Sequence, residues 1–514
     1  MKNTQPLVAS AALVAAATVA LRLLGFLREM TLARTYGAGA ISDAFTVAYS
    51  VPGIVLMLVG SSVASAFIPM FARLGDGRRK FTDNIITMML LIGLVFSAVF
   101  TVVPQALTFL FASQFEKESF DMASALLRIM VWSAAPLLAA GVLQAFLQMR
   151  KAFFLSAIAN IPLNVAAIIF IYLSGRASAP LLMGAGVIAG HAVTVTVFFM
   201  AARRHEYAYR PYLNPRAPEL KTMLVLLAPV MLSTFIGEIN QIVDRNFASS
   251  LVAGSVSCLN YANRVVSVMT GLVGASAATV LFPKMSELAA QNEVRVIKEY
   301  FNKTVRLLAP TLLPAVLGLI LLAEPVTALL FERGMFTPED TVMTAQCLRM
   351  YAPLLFTTSI GTIAVRAMFS MKDTKTPAII AGAAVVLSVG LNLLLIGNLK
   401  HVGLSLATSS ASVLSLLLLL LALRKKLGPL GLWALLPEWL KTVAAAAAMG
   451  AAVYAASRKL PLAGGATLRS AALIAAVVFA GAAVYAAAHF LLRTRYTKEV
   501  IAITRGLLRR GKVS

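Results

Sequence analysis

Apolar residues run in long blocks separated by short polar breaks from one end of this sequence to the other. A helix needs about 20 mostly apolar residues to cross a bilayer. The pattern predicts about 14 such helices, over 6–35, 41–71, 83–112, 121–149, 153–174, 179–202, 222–250, 256–288, 303–330, 341–371, 377–398, 402–423, 436–457 and 467–492. Each boundary is good to about three residues. The first block is too long for a cleaved secretory signal and is followed by arginines, so it reads as the first span.

The blocks also repeat. Leu58-Val59-Gly60-Ser61, leading to Pro69, is echoed by Leu272-Val273-Gly274-Ala275, leading to Pro283. Ala145-Phe146-Leu147-Gln148-Met149-Arg150-Lys151 is echoed by Ala367-Met368-Phe369-Ser370-Met371-Lys372-Asp373, and each precedes a span with a Leu-Asn pair, Leu163-Asn164 and Leu391-Asn392. Duplicated bundles with the substrate path between them are common in transporters. Six spans per half is an even number, so the halves share one orientation in the membrane. The expected fold is an all-α integral membrane protein in which two parallel-repeat six-helix lobes surround a central cavity, with two C-terminal helices appended. The expected divisions are an N-lobe over 1–203, a basic linker over 204–221, a C-lobe over 222–424, a helix pair over 425–492 and a basic tail over 493–514.

Composition agrees: 59% of the 514 residues are hydrophobic and 13% charged, against roughly 45–50% apolar and about 25% charged in soluble domains. The net charge of +24 raises nucleic acid as a partner, but the basic residues sit in alternate loops. Arg73, Arg78, Arg79 and Lys80 are followed by Arg150 and Lys151, then by Arg203, Arg204, Arg210, Arg216 and Lys221, and the series runs on to Arg424, Lys425 and Lys426. By the positive-inside rule these loops and both termini are cytoplasmic. Topology and anionic head groups of membrane lipids account for the charge, and no nucleic acid is expected. Cys258 and Cys347 fall within spans, without metal-type spacing, and read as packing residues.

Ionisable residues at membrane depth are costly and usually face a polar cavity or a partner. The first span holds Arg22, Arg28 and Glu29. Arg22 and Glu29 are seven residues apart and share a face, while Arg28 points elsewhere. The seventh span carries Glu238, Asn240, Gln241, Asp244 and Arg245, and the eighth adds Arg264. As equivalent first helices of two halves, the first and seventh spans should line one cleft, whose excess arginine suits an anionic ligand such as phosphate. The competing reading is that Arg22 with Glu29, and Glu238 with Arg245, are ion pairs that fix helix packing. Arg28 and Arg264 have no equally obvious partner.

Arg22-Leu23-Leu24-Gly25-Phe26-Leu27-Arg28-Glu29, with Gly37-Ala38-Gly39 and Ser42-Asp43-Ala44-Phe45, resembles the opening of the MurJ (MviN) lipid II flippases. These form part of the polysaccharide-exporter branch of the multidrug/oligosaccharidyl-lipid/polysaccharide superfamily. The similarity continues through Tyr261-Ala262-Asn263-Arg264, Asp373-Thr374-Lys375-Thr376-Pro377 and Val402-Gly403-Leu404-Ser405-Leu406-Ala407-Thr408. It implies a bacterial inner-membrane transporter that moves an undecaprenyl-pyrophosphate-linked disaccharide-pentapeptide from the cytoplasmic to the periplasmic leaflet by alternating access. It implies a role in cell-wall synthesis alongside other proteins of that process, and binding through Arg22, Arg28, Glu29, Asp43 and Arg264. The Asp373 and Lys375 loop is expected either to gate the cytoplasmic side or to be an ordinary solvated turn. Asp244, Asn392 and Thr408 would together offer oxygen ligands to a coupling cation such as sodium; the alternative is that Asp244 neutralises Arg245 or a neighbour. No other cofactor is expected. One departure is clear: many members carry arginine shortly after the proline equivalent to Pro52, where this chain reads Gly53-Ile54-Val55-Leu56-Met57.

Other readings are a flippase for a different lipid-linked oligosaccharide, a multidrug exporter, whose cationic substrates call for an acidic cleft, and a membrane glycosyltransferase. The last would need catalytic carboxylates in a sizeable outer loop, whereas the longest outward loops, 111–121 and 331–340, are short. No Gly-rich, Lys-containing nucleotide motif is present, so ATP is not the direct energy source.

Overall fold

The computed structural model describes residues 5–55, 58, 62–75, 77–271, 294–431, 436–462, 465, 467–494 and 496–497. Both copies of the Leu-Val-Gly echo, Leu58 excepted, and the tail after 497 lie outside these. Among the described residues the regular elements are all helices, with no strand.

Among the described residues each of the fourteen expected spans holds helix, the eighth being described only over 256–271. The first is α1 (Gln5–Tyr36), and the second is shared by α2 (Ala40–Val55) and α3 (Ser62–Arg73). The third divides into α4 (Arg78–Val102) and α5 (Pro104–Ala112). Val103 between them has φ −123° and ψ 58°, because Pro104 has no N–H to continue the ladder and fits a first helical turn. The fourth is α6 (Lys117–Met130), a 3₁₀ turn over Val131–Ser133 and α7 (Ala134–Met149), a 33-residue rod in all. Then come α8 (Phe153–Ile158), α9 (Ile161–Arg176), α10 (Leu182–Arg204), α11 (Pro218–Ala248) and α12 (255–271). The later helices are α13 (Val294–Leu321), α14 (Ala323–Phe331), α15 (Pro338–Ser370), α16 (Lys375–Leu427), α17 (Leu436–Lys459) and α18 (Leu468–Leu491). The eleventh and twelfth spans together make up α16, which is broken at Lys400 by φ 48° and ψ −130°. Among the described residues eight helical segments are long and apolar enough to cross a membrane by themselves, and α2 and α9 are shorter apolar helices.

The surface is inverted relative to a soluble protein. On α1, Leu23 and Leu27 are exposed while Arg28 and Glu29 are 3% exposed; Val102, Val386 and Phe479 are each more than 70% exposed. Water would drive the reverse arrangement. With lipid as the outer solvent, the charged groups gain by turning inward.

The chain divides into two compact units, one of Met1–Arg264 with Gly334–Asp340 and Val389–Leu404, the other of Val265–Arg333, Thr341–Ser388 and Ser405–Ser514. In the first, helices approach closely at small residues: a Cβ on Gly93 would lie 2.4 Å from the Ala135 Cα, and one on Gly190 would lie 2.8 Å from the Leu163 Cα. Such contacts replace the hydrophobic drive that lipid cannot supply. Phe67, Phe71, Phe81, Phe146 and Tyr207 form a connected aromatic cluster with ring centroids 4.9–5.8 Å apart. Tyr207 belongs to the basic linker, which is strapped to α4. Its hydroxyl donates to Asp83 Oδ1 at 2.6 Å, the Arg210 amide donates to the same oxygen at 3.2 Å, and Asn84 exchanges two hydrogen bonds with the Asn214 backbone. Burial and the adjoining Asp83 push the Tyr207 phenol well above its ordinary pKa, so it remains a donor.

In the second unit α17 and α18 pack on one another and α17 packs on α13, around Leu322, Ala445, Met449, Val453, Ile474 and Val477. Gly450 faces Leu317, and Gly481 faces Val453.

Candidate functional site: an arginine-walled cavity

The corner between α1 and α2 places the first charged wall. Gly37 has φ +64°, and a Cβ there would lie 2.5 Å from the Met335 carbonyl oxygen, so the turn requires glycine. Its own carbonyl accepts hydrogen bonds from the Ser42 and Tyr261 hydroxyls. One residue past Ser42, Asp43 is 2% exposed and accepts from the Gly254 and Ser257 amides, each at 2.7 Å. A carboxylate on these two amides satisfies donors at the start of α12 and complements its dipole. Asp43, expected to bind substrate, is therefore taken up by the backbone and does not line the cavity described next. It acts by fixing the helix that carries Asn260 and Arg264.

A cavity of about 230 Å³ opens among α1, α2, α11 and α12. From α1 come Arg28 and Glu29, from α12 Asn260 and Arg264, and from α11 Glu238, Gln241 and Arg245. On α2 the lining follows the four-residue repeat of one helix face, as Phe45 and Thr46, Tyr49 and Ser50, Gly53 and Ile54. Three guanidinium groups thus face two carboxylates.

Glu29 is the centre of the first wall. Its Oε1 lies 2.6 Å from Arg28 Nη2 and 3.5 Å from Arg264 Nη2, and its Oε2 accepts from Asn260 Nδ2 at 2.9 Å. The expectation that Arg28 and Arg264 stand without a counter-charge is corrected here. Both share Glu29, because Arg28 is its chain neighbour and Arg264 reaches it from α12. The Arg28 guanidinium also stacks over the Tyr49 ring at 4.0 Å, and its Nη1 lies 3.4 Å from Asn164 Oδ1. Its Nε is buried with no hydrogen-bond partner among the described residues. Arg22 is exposed and is not among the cavity-lining residues.

On α11 the polar stripe splits between two directions. Gln241 Nε2 donates to Glu238 Oε2 at 2.9 Å, and Arg245 Nη2 lies 3.5 Å from Gln241 Oε1. Asp244 instead accepts from Asn240 Nδ2 at 3.0 Å and from Asn392 Nδ2 at 2.6 Å. Two of the three expected cation ligands are therefore in contact, and Thr408 belongs to the second unit. Asp373 and Lys375 are also in the second unit. Asp373 accepts from the Thr376 amide at 3.0 Å and pairs with Lys426 Nζ at 2.7 Å, while Lys375 is exposed. The Lys426 ammonium and the Thr376 contacts hold the Asp373 carboxyl below its usual range.

Tyr49, Asn260 and Asn164 are parts of this site that the sequence did not single out, whereas Gln241 lies in the polar stripe expected to line the cleft. Polar residues at four-residue spacing in otherwise apolar helices, Thr46 with Ser50 and Asn260 with Arg264, were the available signal.

The sequence matches the family model described as "Lipid II flippase MurJ" over residues 32–473. The chain belongs to the MurJ family of lipid II flippases. A probable lipid II flippase MurJ of Rhizobium meliloti is 31% identical over 509 residues, covering 94% of each chain. The lipid II flippase MurJ of Burkholderia cenocepacia is 29% identical over 445 residues, covering 82% of this chain and 84% of its own. Among solved structures, a lipid II flippase MurJ in an inward closed conformation superposes with a TM-score of 0.81 at 23% identity, over 95% of this chain and all of that one. An inward-facing multidrug transporter of the MATE family superposes at 0.67 and 16% identity, over 82% of this chain and 98% of its own. These two likenesses show the shared fold. Family membership makes this chain a multi-pass membrane transporter and not an enzyme.

Proposed function

We propose that the cavity receives the pyrophosphate of lipid II while the chain moves this precursor from the cytoplasmic to the periplasmic leaflet by alternating access of two six-helix lobes. The observation that carries this reading is the cavity wall itself, where guanidinium groups outnumber carboxylates and Arg28 keeps a buried Nε–H unmatched. A buried unmatched donor costs about 1–3 kcal/mol, which an incoming phosphate oxygen would relieve. About 230 Å³ is small beside the roughly 300–1,000 Å³ of a site that engulfs a whole small molecule. The space suits the pyrophosphate, with most of the sugar outside it and the polyprenyl tail left in lipid. Arg28 and Arg264 are the proposed contacts; Glu29 holds both in register.

The exposed Arg78, Arg79, Lys80, Arg203, Arg204 and Arg210 support cytoplasmic placement of their loops and of both termini. We further propose that Asp244, flanked by two carboxamides, takes a monovalent cation such as sodium. The Oδ1 atoms of Asn240 and Asn392 are buried and have no hydrogen-bond partner among the described residues, and oxygen donors beside a carboxylate suit a hard cation. Sodium should stabilise the purified protein more than potassium does, and Asp244→Asn should remove that difference; equal effects of the two ions in wild type would exclude the site.

Supplying this chain to a strain depleted of its own lipid II flippase tests the main reading. Rescue from lysis without precursor accumulation is expected, and Arg264→Ala, at equal protein level, should not rescue. A well-expressed wild-type chain that fails to rescue would redirect the assignment to another lipid-linked oligosaccharide.

A further inference from the structure

We infer that Arg245 is a third phosphate-binding residue of the cavity, oriented by Gln241, and that with Arg264 it sorts a diphosphate head group from a monophosphate one. This rests on the reading of the cavity proposed above and deepens it.

The first wall cannot match a diphosphate alone. Arg28 is 3% exposed and spends its ring-facing plane on Tyr49 and its two terminal nitrogens on Asn164 and Glu29, which leaves only its Nε–H for one phosphate oxygen. Glu29 also offsets Arg264, so one carboxylate is shared by two guanidinium groups. Of these two, Arg264 is the accessible one, its side chain 33% exposed. One open guanidinium fork matches the oxygens of one phosphoryl group. A second phosphoryl needs a second, separately mounted cation.

The α2 face does not provide it. At Gly53 an added Cβ would meet nothing within 4 Å among the described residues, and no cation stands on this face of α2. The α11 face does. Positions 238, 241 and 245 follow three- and four-residue spacing and so share one face, and all three line the cavity. Gln241 uses both ends of its carboxamide, donating to Glu238 and accepting from Arg245. A carboxamide cannot titrate, so this tether adds no counter-charge of its own; Glu238, on the same face, is the carboxylate that acts on Arg245. Arg245 on α11 and Arg264 on α12 thus present two cations from two independent helices to one small volume.

The test uses the full-length purified chain in lipid nanodiscs, with undecaprenyl pyrophosphate and undecaprenyl phosphate as probes. Arg245→Gln is expected to weaken binding of the diphosphate about tenfold, the loss of one charge-assisted contact, and to leave monophosphate binding within about twofold of wild type. Arg245→Lys keeps the charge without the fork and should recover part of the diphosphate affinity. It also serves if the glutamine variant does not fold. Gln241→Leu should shift diphosphate binding in the same direction, because the tether is lost. If Arg245→Gln weakens both probes equally or neither, while Arg264→Gln weakens the diphosphate, Arg245 is a packing residue and this inference falls alone. If wild type does not bind the diphosphate more tightly than Arg264→Gln does, the underlying reading of the cavity falls with it.

Discussion

Arg28 and Asp43 show how a charged side chain is tolerated within an apolar helix pair. Arg28 meets a carboxylate, a carboxamide and an aromatic face, so its burial is compensated on several sides. Stacking of this kind is worth about 0.5–2 kcal/mol. Tyr49→Phe, which keeps the ring, should preserve thermal stability and rescue activity, whereas Tyr49→Leu should reduce both; equal behaviour of the two variants would show that the ring face does not matter. Asp43 works on backbone instead. Removing its carboxylate strands the Gly254 and Ser257 amides in a buried setting, at about 1–3 kcal/mol for each unmet donor. Asp43→Ala should therefore lower the melting temperature, with Asp43→Asn between it and wild type. Substrate affinity per molecule of folded protein should fall less than in Arg264→Ala, because Asp43 does not line the cavity.

Elements here begin and end where local chemistry interrupts the backbone ladder. Pro104 divides the third span into α4 and α5, and Lys400 turns α16 back on itself. The α15 to α16 connection is closed in another way, by Asp373 bonding the Thr376 amide and pairing with Lys426. Its carboxyl is lowered below the ordinary range, so the clasp contributes fully above the unfolded-state pKa of about 3.9. It is lost as pH falls through the lower folded-state value. Amide exchange over 371–376 in Asp373→Asn should exceed wild type at neutral pH, and the difference should shrink in strong acid. A difference that persists unchanged there would mean that the clasp is not electrostatic.

For the whole molecule, the proposed orientation rests on the alternation of basic loops. Cys258 and Cys347 form no disulfide and are each 0% exposed, so introduced thiols should report on topology against a low background. Ala208→Cys, in the exposed linker, should react with a membrane-impermeant maleimide only from the cytoplasmic side, and Ala177→Cys, beside Arg176, only from the periplasmic side. Labelling of both from the same side would overturn the six-span repeat as drawn.

Membrane class, the span pattern and family were legible in the sequence because each rests on local quantities: the length of an apolar run, the sign of a loop and the order of short motifs. The same holds for Arg28, Glu29 and Arg264 as residues of interest, since a charge inside an apolar run is visible without a fold. Which charge meets which was not legible. Helical spacing paired Arg22 with Glu29, yet the tertiary structure gives Glu29 to Arg28 and to Arg264, which is distant in sequence. The opening motif placed Asp43 with the ligand, yet α12 brings its amides to that carboxylate. Asn392 was brought to Asp244 as the motif order implied, and Arg245 was carried into the cavity beside Arg264. The physical reason is that insertion into lipid depends on the sum of side chains along one helix. The partner of a buried ion depends instead on the distance and angle between helices, which only packing decides.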